Sequence, residues 1–410
     1  MNRSLWIIAA TISIGLAVGA AEPVPALVSA AEQWLSYRTG DGVERLVGKM
    51  PGQTLRLTAT KPEGVALPKL QAADPLFGQW KSPAAKGGGL WMALNRSQPG
   101  KPYDRLYIDT NANGSLADEE PISSANNISA EQFQNMTFPP VKLLLTGPDG
   151  PVAYHLGIGV QLFAGQGRAV TAAACWYEGN ITVNGRQTRC ILADANANGV
   201  FNDASKDSDR ADRIRLLDLP APFAVGRVGK FIQSDGKLWR LTVALDGACV
   251  EIAPATDARL VRVMVPKSVS RLSVAGDNGL LLFEPAEGIV QLPAGRYRLN
   301  HWEAARKDSA GAEWQIVANV LDPEHAEIDL AGGPGPAAGT AAALDIGEPL
   351  TSICGHSASG QTHAFSNPCI RGRRNETIIL TRQGQQPPPP TLLIVNADKT
   401  YEKRHSFEYG

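Results

Sequence analysis

The chain lacks a net charge of either sign: 39 Lys and Arg stand against 40 Asp and Glu in 410 residues, a formal net charge of −1. It therefore lacks the charge excess that binds nucleic acid or anionic membranes. Its 43% hydrophobic content is ordinary for a globular protein, which excludes an intrinsically disordered chain. With 41 Gly and 29 Pro it has too many helix breakers for a coiled coil. A turn-rich globular protein remains, long enough for two or three domains.

Long apolar runs are also missing, except at the N-terminus. Arg3 precedes an apolar segment at 5–18, and small residues follow at 18–21, which is the pattern of a signal peptide covering residues 1–21. A membrane anchor is the alternative, although the run is shorter than the ~20 residues that a transmembrane helix needs. We expect an exported protein, secreted or periplasmic, with no membrane span after signal removal.

The short motifs of familiar enzyme classes are absent. The sequence has no His-Glu-x-x-His pair, no Walker loop, no dinucleotide fingerprint and no nucleophile beside a base. A carboxylate pair for glycoside hydrolysis would converge only in space and leave no sequence pattern. Several aromatic residues could form a sugar-stacking platform, although core or hairpin packing is their commoner role. These residues are Trp80, Trp91, Trp176, Tyr177, Trp239, Trp302 and Trp314.

Cysteine is scarce, and its odd number leaves at least one thiol without an intramolecular partner. The five residues are Cys175, Cys190, Cys249, Cys354 and Cys369. Export permits disulfides, and Cys354 and Cys369 flank a short segment rich in Gly and Ser, so we predict that these two form a disulfide. Cys175 with Cys190 is a second candidate pair.

The segment between Cys354 and Cys369 also holds two histidines, His356 and His363. Together the four side chains raise the alternative of a zinc site, but their spacings match no familiar zinc module. The residues 355–360 are also not a Gly-x-Ser-x-Gly nucleophile elbow. We expect a polar loop here.

Strand and turn patterns dominate from about residue 90 onward. Four tight-turn sequences separate pairs of apolar, alternating segments. They are Asn184-Gly185, Asp246-Gly247, Pro148-Asp149-Gly150 and Asp277-Asn278-Gly279. Because such turns join adjacent antiparallel strands, we predict an all-β fold of mainly antiparallel sheets with a β-sandwich. One short helix is predicted near the mature N-terminus, where apolar residues recur at helical spacing at Leu27, Ala30, Ala31, Trp34 and Leu35.

Residues 109–120 have the spacing of an EF-hand-like calcium loop. Side-chain oxygens occupy the first, third and fifth places, Gly114 at the sixth allows the sharp turn, and a carboxylate occupies the twelfth. Calcium needs six to eight oxygens at ~2.3–2.6 Å, which alternating ligands on a loop wrapped around the ion can supply. The predicted ligands are Asp109, Asn111, Asn113, Ser115 through its carbonyl oxygen, and Glu120.

A second copy of this loop begins 85 residues later and covers residues 194–205. Its twelfth place is Ser205, so Asp203 or Asp207 would have to replace the missing carboxylate. The predicted ligands are Asp194, Asn196, Asn198, Val200 through its carbonyl oxygen, and Asp203. Both loops follow an apolar segment, which predicts a strand before each loop instead of a pair of helices.

The asparagines in both loops limit the expected affinity. Asn replaces Asp at two places in each loop, so we expect dissociation constants on the order of 10⁻⁴ to 10⁻³ M, at the weak extracellular end of the range. Such sites would be filled permanently outside a cell and would act as structural staples. The alternative is that Asn and Gly simply form tight turns here.

Several segments carry resemblances to known proteins. The residues 76–83, 88–94 and 407–410, together with the two loops, resemble exported bacterial proteins of uncharacterised function found in planctomycete-like genomes. That resemblance covers most of the mature chain and implies no activity. The loops also resemble those of EF-hand and dockerin-type proteins, which implies metal ligands at the places given above. The residues 289–299 resemble a strand of transthyretin-like or immunoglobulin-like sandwiches.

These patterns predict three regions. A signal peptide at 1–21 precedes a β-rich region at 22–256 with the two calcium loops, and a β-sandwich at 257–410 contains two small subdomains joined near 332–343. We expect an exported calcium-binding structural or protein-interaction module, whose partner is an unidentified protein or polysaccharide. The alternative is a carbohydrate-binding module or carbohydrate-active enzyme on a β-sandwich scaffold.

Overall fold

The computed structural model describes residues 31–40, 42–130, 132–147, 150–164, 166–217, 225–319, 327–330, 342–360 and 362–408. About 57% of the chain is strand and 2% is helix, with antiparallel sheets, so the predicted all-β class is confirmed. The predicted signal peptide and most of the segment 332–343 lie outside the described residues.

The N-terminal half contains eighteen of the described strands. They are β1 (Glu32–Trp34), β2 (Ser36–Thr39), β3 (Gln53–Leu57), β4 (Leu76–Lys81), β5 (Gly89–Asn95), β6 (Arg105–Ile108), β7 (Ile122–Ser123), β8 (Asn126–Ala130), β9 (Phe133–Gly147), β10 (Gly150–Phe163), β11 (Gln166–Ala173), β12 (Cys175–Val183), β13 (Arg186–Ala193), β14 (Arg213–Leu216), β15 (Val225–Arg227), β16 (Phe231–Ser234), β17 (Lys237–Val243) and β18 (Cys249–Pro254). A five-residue helix, α1 (Val43–Val47), and a short 3₁₀ helix, Lys86–Gly88, also lie in this half.

The C-terminal half contains the other described strands. They are β19 (Leu260–Met264), β20 (Val269–Gly276), β21 (Gly279–Phe283), β22 (Ile289–Pro293), β23 (Arg296–Lys307), β24 (Glu313–Asn319), β25 (Glu327–Asp329), β26 (Ala342–Ala343), β27 (Thr351–Ser359), β28 (Thr362–Arg371), β29 (Thr377–Arg382), β30 (Thr391–Val395) and β31 (Glu402–Ser406).

The N-terminal strands form four sheets around one core. Their orders are β1-β18-β17-β16, β3-β11-β10-β9-β8, β15-β14-β13-β12-β2 and β4-β5-β6-β7. The core runs continuously through all four sheets and includes Trp80, Leu106, Tyr154, Ile191 and Val250. The first predicted calcium loop follows β6 and the second follows β13, so the two loops begin from different sheets of the same core.

The C-terminal strands form a sandwich around a second core. The three-stranded sheet β22-β19-β26 covers the larger sheet β21-β20-β23-β24-β29-β28-β27, in which β25 also pairs with β23. Val263, Leu272 and Trp302 are among the side chains buried between them. The strands β30 and β31 form a separate hairpin.

The four predicted hairpins are present. Asn184 and Gly185 have φ of 52° and 73°, the left-handed pair that a two-residue type I′ turn requires, and they join β12 to β13. The turns at 246–247 and 277–279 join β17 to β18 and β20 to β21. The fourth hairpin joins β9 to β10, and its turn residues 148–149 lie outside the described part of the chain.

The predicted N-terminal helix is wrong where the structure describes it. Trp34 lies in β1 and is 67% exposed, while Leu35 lies between β1 and β2 and donates its backbone N–H to the carbonyl oxygen of Ala248 at 2.8 Å. Pairing of the edge strand β1 with β18, and the bond from Leu35 to Ala248, give these residues hydrogen-bond partners that helical spacing cannot reveal. Leu27 and Ala30 lie outside the described residues.

The structure differs from two further expectations. The segment 289–299 forms two strands, β22 and β23, because the chain crosses between the sheets of the sandwich at Gly295. A Cβ at Gly295 would lie 2.5 Å from Nδ2 of Asn278, so a larger residue at this crossing would displace the Asn278 side chain. The expected polar loop at 355–360 is also mostly strand, since 355–359 belong to β27 and pair with β28.

Candidate calcium loops

Both loops begin where a buried strand delivers an aspartate to the edge of the core. Asp109 follows Ile108 of β6 and is 3% exposed, and Asp194 follows Ala193 of β13 and is fully buried. The predicted strand before each loop is therefore present. Burial of a carboxylate is costly unless it gains hydrogen bonds or a cation, so these two positions need partners.

In the first loop, Asp109 gains backbone partners. Its Oδ1 accepts from the backbone N–H of Asn113 at 3.0 Å, and its Oδ2 accepts from that of Gly114 at 2.8 Å. The loop can wrap around the carboxylate because Ala112 and Gly114 adopt left-handed φ of 56° and 83°. The first-place aspartate thus organises the turn.

The asparagine side chains of the first loop meet at the tenth place. The Nδ2 groups of Asn111 and Asn113 donate to Oδ2 of Asp118 at 3.1 and 2.8 Å. These amide hydrogen bonds lower the pKa of Asp118, because they stabilise its ionised form. The tenth-place carboxylate, not the twelfth, faces the loop interior.

The second loop repeats this pattern. Asp194 accepts from the backbone N–H groups of Asn198 at 3.2 Å and Gly199 at 2.7 Å. The Nδ2 groups of Asn196 and Asn198 donate to Oδ2 of Asp203 at 2.8 and 2.6 Å. Ala197 and Gly199 have φ of 51° and 87°, so the left-handed residues also occur at the same places.

The second loop is more deeply embedded than the first. Tyr154 of β10 donates its hydroxyl to Oδ2 of Asp194 at 2.9 Å. Asp212, also fully buried, accepts from the backbone N–H groups of Ala195 at 3.0 Å and Asp203 at 2.8 Å. Asp212 and Tyr154 belong to no loop motif, so neither role could be predicted from sequence.

Three carboxylates therefore gather at the second loop. Burial raises the pKa of Asp194 and that of Asp212, and the neighbouring negative charge of Asp203 raises both further. No Lys or Arg forms a salt bridge with Asp194, Asp203 or Asp212 in the part of the chain that the structure describes. These raised pKa values favour the neutral carboxyl groups, and a bound cation would favour the ionised forms instead.

One buried oxygen of the second loop lacks a hydrogen-bond partner and is available to a cation. Oδ1 of Asn196 is buried and has no hydrogen-bond partner, whereas Nδ2 of the same amide is bonded to Asp203 and to the carbonyl oxygen of Arg210. A buried acceptor without a partner costs about 1–3 kcal/mol. A hard cation would satisfy this oxygen, so the residues present suit calcium.

The twelfth-place residues, Glu120 and Ser205, differ from the tenth-place carboxylates in their contacts. Glu120 is exposed, and it is the adjacent Glu119 that accepts from the backbone N–H and the hydroxyl of Thr110, both at 2.7 Å. In the second loop, the hydroxyl of Ser205 accepts from the backbone N–H of Asp207 at 3.0 Å. Glu120 as a ligand stays a prediction.

The two suggested substitutes for Ser205 are separated by the fold. Asp203 faces the loop, whereas Asp207 lies 2.6 Å from Nη1 of Arg298 in the C-terminal half. At the seventh places, Ser115 and Val200 each donate a backbone N–H to the preceding asparagine side chain, at 2.7 and 3.0 Å.

Across the described residues, no three His, Cys, Asp or Glu side chains are grouped in a way that could hold a metal ion. A cation in either loop would therefore depend on amide and backbone carbonyl oxygens beside the carboxylates. Such ligands suit calcium, which accepts neutral oxygens, better than zinc, which prefers nitrogen and sulfur.

The cysteines are all unbonded in the structure. Cys354 and Cys369 are half-buried on the paired strands β27 and β28, and their disulfide stays a prediction. Cys175 and Cys190 are buried in the first core, where burial raises the pKa of each thiol to about 12. These two thiols are therefore protonated near neutral pH.

None of the seven aromatic residues considered for sugar stacking is exposed. Trp80 and Trp302 are fully buried, Tyr177 is buried, and the other four are half-buried. They form no exposed aromatic row, which a sugar-stacking platform would need.

Comparisons with known proteins give no match to a family model, to a curated protein or to a solved structure. Among the described residues, no helix has the length and apolar character required to cross a membrane.

Proposed function

We propose that this chain is an exported structural or protein-interaction protein whose two loops, 109–120 and 194–205, each bind one calcium ion as a structural staple. The observation that carries the proposal is the repetition of one geometry at two sites. In each loop the carboxylate of the first-place Asp accepts hydrogen bonds from the backbone N–H groups of the fifth and sixth residues. The side-chain amides of the third and fifth residues both donate to the tenth-place Asp. A simple Asn-Gly turn requires none of this convergence.

The chain's own residues supply an oxygen set suited to calcium. In the second loop this set consists of Asp194, Asn196, Asn198, the carbonyl oxygen of Val200, and Asp203. An asparagine presents either its oxygen or its NH₂ group after a half rotation of the amide. The amide of Asn198, which now donates to Asp203, can therefore turn its oxygen towards an ion, whereas Asn196 already has a free Oδ1 to offer. The corresponding set in the first loop consists of Asp109, Asn111, Asn113, Ser115 and Asp118. Glu120 is its predicted twelfth-place ligand.

Calcium would add stability where the fold is electrostatically unfavourable. Burial and neighbouring carboxylates raise the free energy of ionised Asp194 and Asp212, and a divalent cation would offset that repulsion. Two carboxylates and several neutral oxygens carry a low total charge. We therefore expect a dissociation constant on the order of 10⁻⁴ to 10⁻³ M. Ions held this weakly suit a constitutive role outside the cell.

Thermal unfolding in millimolar calcium and in excess chelator tests the proposal. A ligand that binds only the folded state at 100 times its dissociation constant stabilises by about 2.7 kcal/mol, so we expect a clear rise in Tm with calcium. Asp194→Asn keeps the shape of the side chain while removing its charge, and should reduce the rise. Asp109→Ala should reduce it independently.

A matched control is Asp246→Ala. Asp246 also accepts a backbone N–H in an Asp-Gly turn, from Ala248 at 3.0 Å, but lies outside both loops. This variant should keep the full calcium response. An equal Tm with calcium and chelator in the unaltered chain would refute the proposal, as would an unchanged response in both loop variants. The carbohydrate alternative has no exposed aromatic platform among the residues considered for it.

A further inference from the structure

The two histidines of the expected polar loop face each other on paired strands. His356 of β27 lies opposite Phe365 of β28, and His363 of β28 lies opposite Ala358 of β27. The histidines are therefore diagonal neighbours, and diagonal side chains of an antiparallel pair lie on one face and within reach of each other. This relationship depends on the hairpin register.

The rings of this histidine pair lie in direct contact. Nε2 of His356 is 3.0 Å from Nδ1 of His363, and the ring planes differ by only 10°. The ring of Phe365 packs against His356 with centroids 4.9 Å apart. Both histidines are exposed on their strands, so solvent and solutes can reach them.

We propose that His356 and His363 form a binding site for one divalent transition-metal ion of the zinc, nickel or copper class. Imidazole nitrogens bind such ions at ~2.0–2.1 Å, so two nitrogens sharing an ion at bond angles of roughly 90–109° lie about 2.9–3.4 Å apart. The separation of 3.0 Å falls within that range. The strands thus hold two nitrogen ligands at the spacing that one ion requires.

Binding needs only a local rearrangement of protons and rings. The proton that one ring now donates in the hydrogen bond moves to the far nitrogen of the same ring, which leaves both facing nitrogens with lone pairs. Small side-chain rotations then direct the two lone pairs at the ion, and exposed side chains can make them. Water completes the coordination, because the pair supplies only two ligands.

The surroundings give the ion access and room. His363 and Phe365 line a pocket of about 610 Å³ whose other wall is the β30–β31 hairpin, including Tyr401 and His405. The histidine pair offers imidazole nitrogen ligands, which zinc, nickel and copper ions accept, whereas the calcium loops offer only oxygen ligands. Its occupancy is therefore independent of the calcium proposal.

Titration of the full chain with Zn²⁺ in competition with a chromophoric chelator tests this site. Two linked ligands bind more tightly than one by roughly 10²-fold or more, so His356→Gln and His363→Gln should each weaken Zn²⁺ binding by about that factor. Both side chains are exposed, so neither change should alter the Tm. Nitrogen NMR of the histidines should show both facing nitrogens shifting with Zn²⁺.

Two controls separate the pair from its neighbours. His405→Gln removes a histidine from the same pocket, and Cys354→Ser with Cys369→Ser removes the nearby thiols; both variants should retain Zn²⁺ affinity within about twofold of the unaltered chain. Binding that survives His356→Gln and His363→Gln, or that disappears with the cysteines or His405, would overturn the assignment. Absence of binding at millimolar Zn²⁺ would overturn it as well.

Discussion

Trp80 donates its indole N–H to the carbonyl oxygen of Ala197 at 2.7 Å. Trp80 lies in β4, in the sheet from which the loop 109–120 begins, whereas Ala197 is the fourth residue of the second loop, 194–205. The same carbonyl accepts from Nε2 of Gln53 at 2.8 Å. The left-handed turn of the second loop is therefore held by side chains of neighbouring sheets, while the corresponding turn of the first loop lies at the surface.

The sixth-place glycines should respond differently to substitution because of this difference. Gly114 and Gly199 both have positive φ, so alanine costs about 1–2 kcal/mol at either position. A Cβ at Gly114 would meet open space, but at Gly199 it would lie 2.5 Å from Cδ1 of Leu145, which adds about 1–3 kcal/mol of overpacking. Urea unfolding should show a larger loss of stability for Gly199→Ala than for Gly114→Ala. Equal losses would contradict the tight packing of the second loop.

The tenth-place carboxylates should control calcium affinity. Asp118→Asn and Asp203→Asn each remove one of the two carboxylate charges that face a loop. Because calcium affinity depends on ligand charge, calorimetry should show calcium binding weakened by about tenfold or more at the altered loop. Asp207→Asn is the matched control, because Asp207 pairs with Arg298 instead. If Asp203→Asn leaves the calcium affinity unaltered, Asp203 is not the residue that replaces the missing twelfth-place carboxylate.

The buried carboxylate of Glu376 should stabilise the C-terminal sandwich. Its Oε1 accepts from Nε1 of the fully buried Trp302 at 3.0 Å, and its Oε2 accepts from the backbone N–H of Arg374 at 2.6 Å. Glu376→Ala leaves both donors without this partner and should cost about 2–4 kcal/mol, whereas Glu376→Gln keeps one acceptor and should cost less. The exposed Glu402→Ala serves as control in chemical unfolding, and an equal effect there would refute the role of Glu376.

The contribution of His155 should lower stability on mild acidification, whereas the raised pKa values of Asp194 and Asp212 act in the opposite direction. Burial, aided by the charge of Lys142, lowers the pKa of His155, so the unfolded state takes up its proton at a higher pH than the folded state does. More protons bound by the unfolded state means that stability rises with pH. The loss should therefore begin as pH falls through the unfolded value of about 6.5 and level off below the folded value. His155→Gln should remove this part of the pH dependence of Tm between pH 7 and 5, and parallel profiles would contradict it.

The sequence predicted the local structure that short-range chemistry determines. Turn pairs such as Asn184-Gly185 require left-handed backbone that few residues other than Asn and Gly adopt, so the hairpins follow from composition at a few positions. The all-β class follows from those hairpins and from the alternating apolar residues between them. The spacing of Asp, Asn and Gly likewise predicted two loops with the same turn, because each side chain bonds backbone only a few residues away.

Tertiary structure decided what depends on distant partners. The strand conformation of Trp34 comes from pairing with β18, and Leu35 bonds to Ala248; both partners lie more than two hundred residues away, which no local periodicity reports. Asp212 and Tyr154 reach Asp194 and its loop only because three strands converge on one core. The contact between His356 and His363 depends on hairpin register, since a slip of one residue would place the rings on opposite faces. Sequence thus determines backbone turns and strand content, whereas pairing register and burial determine which side chains meet and how strongly their charges interact.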